Sequence, residues 1–142
     1  MPRSRLTRAD YRHFVTYPTR WRDNDVYGHM NNAVYYELAD TLVNGWLVGS
    51  GGLGVPEGPV ICLVAETGCR YFESLGFPEP VEAGLGLERV GRSSITYRIG
   101  VFGAGREAPG AEVRYVHVCV DRESRRPVAI PAALRRALEG LA

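Results

Sequence analysis

From Asn31 to Gly49 the chain carries one long apolar segment, and it constrains everything around it. Tyr35, Leu38, Ala39, Leu42 and Trp46, together with Val34, Val43 and Leu47, recur at helical spacing. They cover more than half of the helix circumference. A helix with so much apolar surface is enclosed by other elements rather than laid on one of them. Asn31 or Asn32 supplies an N-cap, and Gly49-Ser50-Gly51-Gly52-Leu53-Gly54 ends the helix in a flexible loop.

Nearly all other regular segments read as strands. Tyr11 to Trp21 alternates: His13, Val15, Tyr17, Thr19 and Trp21 share one side, Phe14, Thr16 and Arg20 the other, and Pro18 marks an edge or a bulge. Val60 to Phe72, Pro80 to Val90, Ser94 to Phe102 and Glu112 to Val120 follow as four more strands. The stretch from Gly103 to Gly110 reads as the loop of a long hairpin. Residues 1–9 are expected to form a loose basic tail, and residues 131–142 a short C-terminal helix. A single helix cannot cover both faces of five strands. The economical arrangement is α+β, a five-stranded antiparallel sheet wrapped around one long central helix, in a single domain spanning 1–142. Its open edge and face invite a second copy.

Composition narrows the function classes. Seventeen basic residues against sixteen acidic ones give a net charge of +1 over 142 residues, so no nucleic-acid partner is expected. Every basic residue is Arg, which removes Schiff-base and P-loop lysines from consideration. Cys62, Cys69 and Cys119 form no C-x-x-C pair and are expected as inert free thiols in a reducing compartment. No apolar run is long enough to span a membrane, and no signal-peptide pattern opens the chain, so no membrane partner and a cytoplasmic location are expected. His117 lies among apolar strand positions and is expected as a hydrogen-bonded core residue.

The chemistry concentrates between the first strand and the helix, in Arg20-Trp21-Arg22-Asp23-Asn24-Asp25-Val26-Tyr27-Gly28-His29-Met30-Asn31-Asn32. Free N–H groups at a helix start can polarise a carbonyl oxygen or hold an oxyanion. A carboxylate beside them can act as general base or nucleophile on the same carbonyl carbon. That is a workable acyl-transfer site without Ser or Cys. The spacing of Asp23, Asp25 and His29 matches no standard metal site, so no metal is expected.

This motif, D-x-D-x-x-G-H-M-N-N-A-x-Y-Y opening a helix, resembles the hotdog-fold acyl-CoA thioesterases of the 4-hydroxybenzoyl-CoA thioesterase type, over roughly residues 11 to 121. The resemblance implies hydrolysis of acyl-CoA or acyl-carrier-protein thioesters, with Asp25 as base or nucleophile and Asp23 as the structural acidic residue. It implies carbonyl polarisation by a backbone N–H near Asn32. It implies no cofactor beyond the CoA of the substrate, and a homodimer or a dimer of dimers with the site at the subunit boundary. Tyr27, His29, Asn31, Arg89, Arg92 and Ser93 are candidate substrate-binding residues, the two arginines for CoA phosphates. Glu66 is either a second carboxylate near the site or a partner of Arg70. The alternative function is a non-catalytic acyl-CoA binding or sensing domain; the presence of Asp25 favours an enzyme, and the segment before Tyr11 is too short for a helix-turn-helix.

Overall fold

The computed structural model describes residues 3–50, 52–54 and 57–142. Five strands, β1 (His13–Tyr17), β2 (Val60–Tyr71), β3 (Val81–Val90), β4 (Ser94–Gly103) and β5 (Ala111–Asp121), form one sheet in the order β1-β3-β4-β5-β2. Every neighbouring pair is antiparallel. The helix α1 (Asn32–Ser50) lies across one face, and a short helix α2 (Ala132–Leu138) closes the C-terminus. The α+β class is as expected, but α1 is laid on one sheet face rather than enclosed: Glu37, Asp40, Asn44 and Val48 on its other side are exposed, because the chain has no second layer to cover them.

α1 buries Val34, Tyr35, Ala39, Leu42, Val43, Trp46 and Leu47. Against them stand Ala83, Leu85, Ile95, Tyr97, Ile99, Val101, Val113 and Tyr115, the inward half of the alternation in β3, β4 and β5. Each large side chain so buried contributes roughly 1.5–3 kcal/mol.

Two further expectations are corrected. The first strand is shorter than its alternation suggests. Pro18 ends it after Tyr17, and Trp21–Asp23 turns into a 3-10 helix because the Asp23 side chain bonds back to Arg20. The N-terminal segment, expected loose, is tied down from Ser4 onward wherever its side chains find partners. Arg8 pairs with Glu82 at 2.9 Å and stacks over Phe102 at 4.7 Å. Ser4 reaches Glu112, and the Tyr11 ring meets Phe102 edge to face at 5.6 Å. A terminus carrying aromatic and Arg anchors has enough to gain by docking on the outer sheet face.

His117 also departs from expectation. It is 2% exposed, stacked edge to face on Tyr115 at 4.9 Å, and its Nδ1 has no hydrogen-bond partner among the described residues. Burial pushes the imidazole down to about 4, with the charge of Asp40 opposing. Unfolding returns it to about 6.5. The folded group resists protonation, so its contribution is intact above about pH 6.5 and is lost as the pH falls toward 4. Between pH 7.5 and 5 the loss comes to about 2 kcal/mol. His117→Phe should therefore flatten the fall in Tm between those two pH values; an unchanged slope would contradict this role.

Candidate active site

The motif loop is built by its own side chains. Asp23 is 4% exposed. It accepts the Arg20 backbone N–H at 2.8 Å and the Arg20 guanidinium at 2.8 and 3.1 Å. Burial alone would raise this carboxyl, but the Arg20 side chain and backbone hold it below the usual carboxylate range. Asp23 thus closes the loop rather than facing a substrate.

From Asn24 to Met30 the chain makes a narrow hairpin, closed by a bridge between those two residues. Asp25 N–H donates to His29 O at 2.9 Å, and Asp25 Oδ1 accepts the Tyr27 N–H at 2.9 Å, an Asx turn. Gly28 has φ +84°, a conformation that a side chain at this position would strain. Val26 and Tyr27 project from the hairpin tip, 92% and 80% exposed.

A second loop locks the first in place. Asn24 Oδ1 accepts the Phe77 N–H at 3.1 Å, and its amide donates to Phe77 O at 3.3 Å. Met30 N–H donates to Leu75 O at 2.7 Å. Between them Gly76 leaves no room for a side chain, because a Cβ there would lie 2.6 Å from Asn24 Oδ1 and 3.2 Å from the Met30 nitrogen.

The hairpin delivers the chain to the start of α1. Asn31 Oδ1 accepts the Ala33 N–H at 2.9 Å, so Asn31 is the N-cap and Asn32 the first helical residue. The Asn32 N–H is one of the donors that a helix leaves free at its start. A cleft of about 300 Å³ opens there, walled by His29, Asn32, Tyr35, Tyr71, Glu73 and Ser74, with Met30 at its base. Tyr35 and Tyr71 meet edge to face at 5.1 Å. Burial first, then the charges of Cys69 and Asp25, push the Tyr35 phenol up to about 12. Asp25 is half-buried beside the cleft wall, with Oδ2 3.9 Å from His29 Nδ1. The Tyr27 ring stacks on His29 with centroids 6.3 Å apart.

The expected site residues therefore separate into groups. His29 and Asn32 line one cleft, and Asp25 and Tyr27 adjoin it through their contacts with His29. Asn31 is adjacent, but its side-chain oxygen is occupied as the helix cap. Arg89, Arg92 and Ser93 lie at the other end of the molecule. The Val81 end of β3 follows the Gly76 loop, and Arg89 lies eight residues further along the strand, roughly 25 Å, with Arg92 and Ser93 in the turn beyond it. There the Arg92 and Ser93 carbonyls accept the N–H groups of Ile130 and Cys119. The Arg89 and Arg92 side chains make no ion pair among the described residues. Glu66 takes neither of its expected roles: it pairs with Arg114, away from the cleft. The carboxylate that does line the cleft is Glu73, 3.1 Å from Arg106. No pattern marked it, because it follows β2 in an irregular loop.

The arrangement is a small cleft at a helix N-terminus, with one carboxylate, Glu73, in its wall and a second, Asp25, beside it, on an antiparallel sheet packed against α1. The chain belongs to the thioesterase-like superfamily, whose family model matches residues 19–138. The fold is the hotdog fold expected from the motif. Among solved structures, the PA5185 protein from Pseudomonas aeruginosa strain PAO1 is 47% identical, with a TM-score of 0.91 over 99% of this chain and 96% of that one. A thioesterase from Thermus thermophilus, complexed with coenzyme A and Zn, is 26% identical, with a TM-score of 0.76 over 93% of this chain and 95% of that one. A 1,4-dihydroxy-2-naphthoyl-CoA thioesterase from Synechocystis shares the fold at 13% identity, with a TM-score of 0.77 over 88% of this chain and 93% of that one. No curated protein matches the chain in sequence. Among the described residues, no helix is long and apolar enough to cross a membrane, and no three His, Cys, Asp or Glu side chains converge as a metal site.

Proposed function

We propose that the protein hydrolyses CoA thioesters, with Asp25 acting on the thioester carbonyl carbon and the Asn32 N–H polarising its oxygen. The observation that carries this reading is the Asp25 carboxylate 3.9 Å from His29, which with Asn32 lines the cleft at the start of α1. The oxygen of a carbonyl seated there gains charge as the tetrahedral intermediate forms, and the helix start offers it a fixed donor. Asp25 either draws a proton from water or attacks the carbon itself to give an anhydride; water then releases the acid. The other product is the free thiol. Coenzyme A in the Thermus thermophilus thioesterase complex supports a CoA ester over an acyl-carrier-protein ester. No cofactor takes part in this scheme, and it suits the cytoplasm.

The same reading requires a homodimer. β2 is an edge strand, and its start lies at the Arg92 end of the molecule while its last residue, Tyr71, walls the cleft. Antiparallel pairing of β2 with its own copy brings the Arg89–Ser93 end of one protomer beside the Asp25 end of the other. The CoA phosphates would then meet Arg89 and Arg92 across the boundary.

The direct test is turnover of a panel of acyl-CoA esters, followed by release of free thiol. Binding without thiol release across the panel would favour the sensing alternative. Arg92→Ala should raise KM for CoA esters about five- to tenfold with little change in kcat, the pattern of lost uniform binding. A truncated pantetheine ester should be unaffected; equal losses on both substrates would assign Arg92 to the fold.

A further inference from the structure

Two cysteines that lie 57 residues apart in sequence meet across the sheet, with their Sγ atoms 3.5 Å apart. Cys62 on β2 stands directly opposite Cys119 on β5. The Cys119 N–H donates to Ser93 O at 2.7 Å and its carbonyl accepts the Val128 N–H at 2.9 Å, both on the side away from β2. Cys62 and Cys119 are therefore a pair with no backbone hydrogen bonds between them. In an antiparallel sheet such pairs hold their Cα atoms about 4.5 Å apart, within the span a disulfide bridges.

We propose that Cys62 and Cys119 form a peroxide-oxidisable dithiol that closes into a cross-strand disulfide, stapling the edge strand β2 to β5. The backbone is already in register, so only the side chains need to rotate. Cys119 is fully buried, whereas Cys62 is partly exposed on the edge strand and meets the oxidant first. Its sulfur takes one peroxide oxygen, the O–O bond breaks, and hydroxide leaves with the thiol proton as water. Cys119 Sγ then attacks the sulfenic sulfur. The S–O bond breaks, and the departing hydroxide carries off the second thiol proton as water. Two thiols and one hydrogen peroxide give one disulfide and two waters. The hydrogen bond shared with Cys119, then burial, pushes the Cys62 thiol up, so its first oxidation rests on exposure and is slow. The same bond, helped by the charge of Arg135, holds the Cys119 thiol below its ordinary range, which suits Cys119 to the second step. In a reducing compartment such a bond is transient, made under oxidant and undone by thiols.

Cys69 provides the internal control. It lies on the same strand but stands opposite Val113, with no thiol to close on. The full-length protein, reduced and then treated with hydrogen peroxide, should lose two of its three free thiols when titrated in denaturant. Digestion without reductant should yield a Cys62–Cys119 linked peptide pair, two hydrogens lighter than its separate parts and restored by dithiothreitol. Cys69→Ser should still form the link, and Cys62→Ser should not. The proposal is overturned if the linked pair is absent while Cys62 or Cys69 carries sulfenic or sulfinic acid, or if Cys62→Ser loses thiols as the parent does.

Discussion

Asp25→Asn is expected to lower kcat by about a hundredfold or more, the effect of removing a positioned base. That corresponds to about 2.7 kcal/mol of transition-state stabilisation. The substitution isolates the charge. Asparagine keeps the size of the side chain, and its carbonyl oxygen can still accept the Tyr27 N–H that closes the Asx turn at 2.9 Å. Melting temperature should therefore change little. Asp23→Asn is the informative contrast. Asp23 is buried, and its carboxylate accepts three hydrogen bonds from Arg20. Neutralising it should cost about 1–2 kcal/mol, lowering Tm by several degrees with a smaller effect on kcat. Measuring kcat and Tm for both variants beside the parent separates the two carboxylates. Near-parental turnover in Asp25→Asn would end its catalytic assignment and direct attention to Glu73, the carboxylate inside the cleft, and to His29.

Thr67→Pro should abolish both assembly and turnover. Along β2, the residues opposite non-bonded positions of β5 turn their own N–H groups to the free edge. Cys62 is one of these, and the register places Thr67, opposite Tyr115, in the same class beyond the irregularity after Val64. Proline there removes no ladder bond within the chain, and an edge strand tolerates it. It does remove a donor that a second copy of β2 would use and puts a ring in its path. Light scattering should find the parent at about twice the 15.7 kDa of the chain and the variant at the chain mass. Thiol release from acyl-CoA should disappear with the dimer, because the Arg89–Ser93 end of the second protomer is then lost from the site. A monomeric variant with full turnover would show that one chain holds a complete site. A parent that is itself monomeric and active would refute the assembly.

The elements were legible in the sequence because their signals are local. The 3.6-residue period of Val34 to Leu47, the two-residue period of Ile95 to Val101 and the glycines that end α1 each act within a few residues. The motif loop was legible in part for the same reason. The helix cap at Asn31 acts on backbone two residues away, so it can be read directly, whereas Asp23's structural role comes from the family resemblance, and the Asx turn of Asp25 and the left-handed turn at Gly28 only from the structure.

What the tertiary structure decided involves partners distant in sequence. Glu73 carries no periodic signal and reaches the cleft because Leu75 and Phe77 dock on Met30 and Asn24. Glu66 finds Arg114 because β2 and β5, far apart in the chain, are neighbours in the sheet. Arg89 and Arg92, two strands from the motif in sequence, prove to be a strand's length from it in space. Cys62 and Cys119 look like unrelated free thiols until the β2–β5 register sets them face to face. Sequence periodicity fixes which side of a strand a residue occupies, and only the pairing of strands, set by how the sheet closes over α1, determines what it touches.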